Sequence, residues 1–181
     1  MSPDEARKVL DEADLLVDEA SVDAAIRRMA SELTARLGNS NPLVLVVMCG
    51  AVYVAGRLLG QLRFPLEVDY IHATRYGAAT TGGQIAWKVS PPDAVRGRSV
   101  LVVDDILDGG DTLAEIRSRL LALGASEVLC AVLTDKELGR AKPIRADFVG
   151  LSLPDRYVFG CGMDVSGAWR NLPAIYALKG H

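Results

Sequence analysis

The run Val100-Leu101-Val102-Val103-Asp104-Asp105-Ile106-Leu107-Asp108-Gly109-Gly110-Asp111-Thr112-Leu113 decides how the rest of the chain is read. Its four leading residues are apolar and mostly β-branched, as expected of a buried parallel strand. Two adjacent carboxylates follow, then two apolar residues and a third carboxylate, Asp108. Gly109-Gly110 opens a helix near Thr112. A glycine turn into a helix N-terminus offers several backbone N–H groups to an anion, and the helix dipole adds to the attraction. Glycine permits the tight turn and a close backbone approach. The Thr112 hydroxyl is a further donor. Three acids beside an anion site make sense if they bind ribose hydroxyls, hold a divalent cation through water, or accept a proton. A strand-to-helix turn that merely carries surface acids is the bland alternative. No Lys follows the glycines, so this is not the G-x-x-x-x-G-K-[ST] phosphate loop, and the dinucleotide fingerprint G-x-G-x-x-G is absent too.

Outward from that run, strands and helices alternate. Upstream, residues 43–48 form a short, continuously apolar strand. Residues 51–62 read as a helix with Val54, Leu58 and Leu62 on one face, and 66–73 and 84–89 as strands, the latter stopped by Pro91-Pro92. The central run supplies a strand over 99–103 and a helix over 112–123, capped by Gly124. Strands at 127–133 and 146–151 follow. Before all of these, Val22, Ile26, Met29, Leu33 and Leu37 fall on one helical stripe. Ser21 is the expected N-cap, Asp23 favours the first turn, and Gly38-Asn39 is the stop. This alternation predicts an α/β fold, a mostly parallel central sheet flanked by helices. Ligands in such sheets bind at the carboxyl ends of strands, here the loops after Met48, Ala73, Val103 and Leu133.

Composition narrows the chemistry. The chain has 181 residues, half of them apolar and 24% charged, enough to bury a core without disulfide or metal staples. Its net charge of −3 argues against a nucleic-acid module, which usually has a basic surface. The longest apolar run, 43–49, is far short of the ~20 residues of a membrane span. The N-terminus is acidic and does not read as a signal sequence. With two histidines, one of them the last residue, a His-rich zinc site is not expected. Cys49, Cys130 and Cys161 are odd in number and far apart, and read as reduced thiols of a cytoplasmic protein.

The central run resembles the phosphoribosyl-pyrophosphate motif of type I phosphoribosyltransferases. Further motifs sharpen the likeness: Leu133-Thr134-Asp135-Lys136, the stretch from Asp147 through Leu153-Pro154-Asp155-Arg156-Tyr157-Val158 to Asp164, and Trp169-Arg170-Asn171-Leu172-Pro173. Together they resemble the hypoxanthine-guanine phosphoribosyltransferase family from about residue 43 to 178. The resemblance implies a single domain over 1–181. Its core would span about 40–150, with a small hood from about 1–20 and 151–181 and a mobile lid at about 74–84. It implies transfer of the 5-phosphoribosyl group to hypoxanthine or guanine, giving IMP or GMP and pyrophosphate. It also implies magnesium, a cytoplasmic setting, small-molecule substrates and a homodimer or homotetramer, with neither nucleic acid nor membrane as partner.

Carried onto this chain, the resemblance makes Asp108 the general base at purine N7. Asp104 and Asp105 face the ribose hydroxyls and their magnesium, as hard oxygen donors suit. Gly109, Gly110, Asp111 and Thr112, with the backbone of Asp108, cradle the 5′-phosphate. Lys136 donates to the 6-oxo group, Tyr157 stacks on the base, and the Val158 backbone reads its N1 and 2-position edge. Asp164 is a second magnesium-associated acid, and Arg170 contacts pyrophosphate through a guanidinium fork suited to phosphate. The loop at Cys49-Gly50 binds pyrophosphate in the family, where many members carry Lys at the Cys49 position. In the lid, Arg75-Tyr76 stands where Ser-Tyr is usual. Two other readings share these residues. One is a xanthine-preferring enzyme. The other is a phosphoribosyl-pyrophosphate sensor acting on nucleic acid, which the acidic charge disfavours.

Overall fold

The computed structural model describes residues 1–75 and 85–180, with the side chain of Arg75 excepted. In chain order the elements are α1 (Pro3–Glu12), β1 (Asp14–Val17), α2 (Glu19–Leu37), β2 (Leu43–Val47), α3 (Val52–Leu59), β3 (Glu67–Arg75) and β4 (Ile85–Val89). After a short 3₁₀ turn come β5 (Ser99–Leu107), α4 (Asp111–Ala122), β6 (Glu127–Glu137), β7 (Phe148–Pro154), β8 (Val158–Phe159) and β9 (Ile175–Ala177). A six-stranded sheet runs in the order β4-β3-β2-β5-β6-β7. All its neighbours are parallel except the antiparallel pair β3–β4 at one edge. A separate antiparallel sheet, β1-β9-β8, joins the two ends of the chain.

The predicted α/β class is the observed one. Every residue of β2 is buried, so the sheet centre is covered on both faces. The predicted stripe of α2 is buried, with Val22, Ile26, Met29 and Leu33 fully inaccessible. This helix packs on β7 and α3, while α4 packs on β6 and β3. Close approach of α2 to β7 explains Gly150, where a Cβ would lie 2.9 Å from the Met29 sulfur and 2.5 Å from the Leu133 carbonyl oxygen.

Several boundaries differ from the sequence reading. The N-cap of α2 is Asp18, not Ser21: its carboxylate accepts the Ser21 N–H at 2.8 Å. The helix therefore starts earlier, with acidic side chains at its positive end. Helix α3 stops at Leu59, with Gly60 as its C-cap, although Leu62 is buried as expected. Strands β5 and β6 run past their apolar stretches because their pairing continues through Ile106↔Thr134 and Leu107↔Asp135. Asp104, Asp105 and Lys136 consequently sit within strands rather than in the loops after them. Gly124 ends α4 as expected, with a φ of 93° that a side chain would oppose.

The strand order reverses between β2 and β5. From there the chain goes to β3 on one side and to β6 and β7 on the other. Open α/β sheets bind ligands at that point, outside the carboxyl ends of the strands. The loops there are 48–51, after β2, and 108–110, after β5.

Candidate active site

The turn after β5 has the form its sequence predicts. Gly110 occupies the N-cap of α4 at φ 91°, a conformation open to glycine at little cost. The helix N-terminus points its backbone N–H groups and the positive end of its dipole at this turn, an arrangement that suits an anion. The turn borders a cavity of about 630 Å³. Asp104, Asp105, Asp108, Gly109, Gly110 and Thr112 line it from this segment, Cys49 and Gly50 from the facing loop, and Arg170 from the C-terminal region. Asp111 is exposed on the first turn of α4 and is not among the cavity's lining residues. The Met48–Cys49 peptide bond is cis.

A second cavity of about 230 Å³ is lined by Lys136, Tyr157, Val158, Met163 and Asp164. Asp105, Ile106, Asp108 and Arg170 border both cavities, so the two form one continuous cleft. At the junction, Lys136 Nζ lies 3.2 Å from Asp108 Oδ2. The lysine is largely buried and the aspartate side chain is 57% exposed toward the cleft. Tyr157 is half exposed where it lines the smaller cavity, and Val158 is held in the small sheet opposite Ala177.

The acidic pair is tightly held. Asp105 donates its N–H to Asp104 Oδ1 at 2.9 Å, and Ile106 donates to Asp105 Oδ1 at 2.8 Å. The buried Thr134 hydroxyl donates to the Asp105 carbonyl at 3.0 Å. Burial pushes both carboxyls above the usual aspartate range, and the neighbouring Asp105 carboxylate adds to the effect on Asp104. Two hard oxygen donors disfavoured as anions by burial and proximity suit a divalent cation. Magnesium characteristically takes one or two carboxylates plus waters and substrate phosphates. Asp104 and Asp105 therefore fit that ion. Asp164 is differently engaged: one oxygen pairs with Arg170 and the other accepts the Gly167 N–H at 2.7 Å. Arg170 also donates to the Gly162 carbonyl at 2.6 Å, which fixes its guanidinium at the junction.

Some residues at the cleft escaped the sequence reading. His72, Thr74 and Lys88 line the larger cavity from the β3–β4 edge, and Met163 the smaller one. The strand alternation of 66–73 places His72 on a face but not at a ligand. Tyr76 and the rest of the expected lid at 76–84 lie outside the described residues, as does the Arg75 side chain.

The cysteines divide sharply. Cys49 is exposed in the cleft, whereas Cys130 and Cys161 are buried and their thiols are pushed up to about 12. At pH 8 a thiol of that kind is only about one part in 10⁴ thiolate, the reactive form. Iodoacetamide at pH 8 should therefore alkylate one thiol per folded chain. Peptide mapping should place the adduct on Cys49. Comparable labelling of Cys161 in the folded protein would contradict the burial.

Comparisons with known proteins agree with this geometry. The model of the phosphoribosyl transferase domain family matches residues 14–166. The hypoxanthine-guanine phosphoribosyltransferase of Bacillus subtilis is 32% identical over 166 residues, covering 91% of this chain and 92% of the relative. The hypoxanthine-guanine-xanthine phosphoribosyltransferase of Tritrichomonas foetus is 33% identical, with 91% of each chain covered. The chain spans only 26% of a longer relative, the bifunctional protein TilS/HprT of Listeria innocua, to which it is 36% identical. Among solved structures, a hypoxanthine phosphoribosyltransferase from Trypanosoma cruzi superposes with a TM-score of 0.85 at 27% identity. That match covers 94% of this chain and 97% of the other.

Proposed function

The chain belongs to the hypoxanthine-guanine phosphoribosyltransferase family, and from that membership we propose that it transfers the 5-phosphoribosyl group of phosphoribosyl pyrophosphate to hypoxanthine or guanine, releasing pyrophosphate. One observation carries the reading onto this chain's own residues. A turn built for a phosphate and a cavity with an amine and an aromatic ring meet at the Asp108–Lys136 pair.

On this reading the N–H groups of 109–112 and the Thr112 hydroxyl hold the 5′-phosphate. Asp104 and Asp105 take the ribose hydroxyls, and Cys49-Gly50 and Arg170 border the pyrophosphate. The purine stacks on Tyr157 with its 6-oxo group on Lys136 and its 2-position edge toward the Val158 backbone. The bond from C1′ to the pyrophosphate oxygen breaks, the bond from purine nitrogen to C1′ forms, and Asp108 accepts the N7 proton. Arg170 stabilises the charge that gathers on the departing pyrophosphate. Magnesium at Asp104 and Asp105, with Asp164 nearby, would neutralise charge on the phosphates when bound. Two further parts of the proposal are a cytoplasmic setting and a homodimer or homotetramer. Among the described residues no helix is long and apolar enough to cross a membrane.

Hypoxanthine, guanine, xanthine and adenine, each with phosphoribosyl pyrophosphate and magnesium, test the reading by nucleotide formation. Lys136 offers only donors at the 6-position, which matches an oxo group and opposes the 6-amino group of adenine. One charge-assisted hydrogen bond is worth about 1.5–3 kcal/mol, so adenine should be used about 10–100-fold less well. Lys136→Ala should weaken use of hypoxanthine by a similar factor while leaving phosphoribosyl pyrophosphate binding intact. Adenine turnover equal to that of hypoxanthine would overturn the assignment. Xanthine turnover above that of hypoxanthine would favour the xanthine-preferring reading.

A further inference from the structure

Lys142 lies outside both halves of the cleft, on the loop between β6 and β7, yet its ammonium reaches the base of each. Nζ donates to the Leu107 carbonyl at 2.7 Å and to Asp135 Oδ1 at 2.5 Å. Its side chain is only 11% exposed. Leu107 and Asp135 are the final register partners of β5 and β6. The residue after Leu107 is Asp108, and the residue after Asp135 is Lys136. One ammonium thus ties together the two strand ends from which the Asp108–Lys136 pair emerges. The same loop also supports the phosphate turn. A Cβ on Gly110 would lie 3.3 Å from the Pro143 side chain and 3.4 Å from that of Ile144.

We propose that Lys142 is a positioning residue that fixes the spacing between Asp108 and Lys136, through its hold on the Leu107 carbonyl and the Asp135 carboxylate. The inference rests on the proposed roles of Asp108 at purine N7 and Lys136 at the 6-oxo group. Two groups that must meet neighbouring atoms, N7 and the 6-oxo oxygen, on one edge of a rigid base need a fixed separation, and a misplacement of about 1 Å costs on the order of 10²-fold in rate. The Lys142 staple restrains that separation without touching substrate.

The test is single-turnover formation of IMP from saturating hypoxanthine and phosphoribosyl pyrophosphate, with thermal unfolding measured alongside. Wild-type turnover comes first: its absence would sink the functional reading rather than this inference. Lys142→Met should then slow the step about tenfold. Lys142→Arg, which can still donate to both oxygens, should stay within about threefold of wild type. The distinguishing readout is a double-mutant cycle. With Lys136→Met already present there is no pair left to space, and Lys142→Met should cost less than about twofold more. A wild-type rate for Lys142→Met would overturn the inference. So would a full tenfold loss repeated in the Lys136→Met background, which is the mark of a merely structural lysine. If Lys142→Met does not fold, Lys142→Gln replaces it in the same cycle and is judged by the same outcomes.

Discussion

Asp108→Asn is expected to slow the chemical step about 10²–10⁴-fold, the usual contribution of a general base, while phosphoribosyl pyrophosphate affinity stays within a few-fold. Asn keeps the side chain's size and its capacity to hydrogen-bond within the turn, but removes the basic carboxylate. The substitution also takes the negative charge out of the 3.2 Å pair with Lys136. That second effect is the smaller one. The Asn side-chain oxygen can still accept a hydrogen bond from the Lys136 ammonium, so that group keeps a partner. The expected rate loss corresponds to about 3–5 kcal/mol of barrier. Asp104→Asn combined with Asp105→Asn should behave differently, weakening ribose and metal binding along with rate. Single-turnover kinetics are the right measurement, because product release often limits steady-state turnover and would mask a slower chemical step. A wild-type single-turnover rate for Asp108→Asn would reduce Asp108 to a turn residue and send the N7 proton elsewhere.

Asp108 was legible in the sequence because its neighbours constrain it: an apolar strand before, two glycines after. The alternation of strands and helices was legible for a related reason. Strands buried on both faces need unbroken apolar runs such as 43–47, and α2 needs a stripe at helical spacing. Strand ends were less legible. Asp104, Asp105 and Asp135 interrupt the apolar pattern, but the β5–β6 ladder is made by backbone groups and continues past them. The individual strands of the small sheet leave no mark in the sequence, although the resemblance implies a hood at the two ends of the chain where they lie. Strands of two to four residues such as β1, β8 and β9 are too short to show a period. Lys142 was invisible for another reason. Its partners are a carbonyl 35 residues upstream and a carboxylate 7 residues upstream, and no local pattern announces a contact of the first kind. Asp111 enters the phosphate turn only through what the resemblance implies for its backbone, and its exposed side chain is not among those that line the cleft.

Gly50→Ala is expected to cost about 10²-fold in kcat/KM for phosphoribosyl pyrophosphate without unfolding the protein. A Cβ at Gly50 would lie 2.1 Å from Asp105 Oδ2 and 2.5 Å from its Cγ. The backbone of Gly50 has little room to retreat. Gly162, at φ 107°, sits so close behind it that a Cβ there would lie 2.0 Å from the Gly50 carbonyl oxygen. Asp105 is the part left to move, and moving its carboxylate strains the bond from the Ile106 N–H. A shift of about an ångström in a group that positions substrate costs on the order of 10²-fold. Gly56→Ala is the control. It lies inside α3, where a Cβ meets nothing within 4 Å. It should keep wild-type activity and gain up to about 1 kcal/mol of helix stability. The route through Asp105 has its own check. In an Asp105→Asn background the side chain at 105 has already lost its charge, so adding Gly50→Ala should cost far less than it does alone. Equal losses in both backgrounds would mean that Gly50 acts on the pyrophosphate directly. A wild-type rate for Gly50→Ala would mean that the acid at 105 can leave its place without consequence, and its proposed hold on the ribose and the metal would fall.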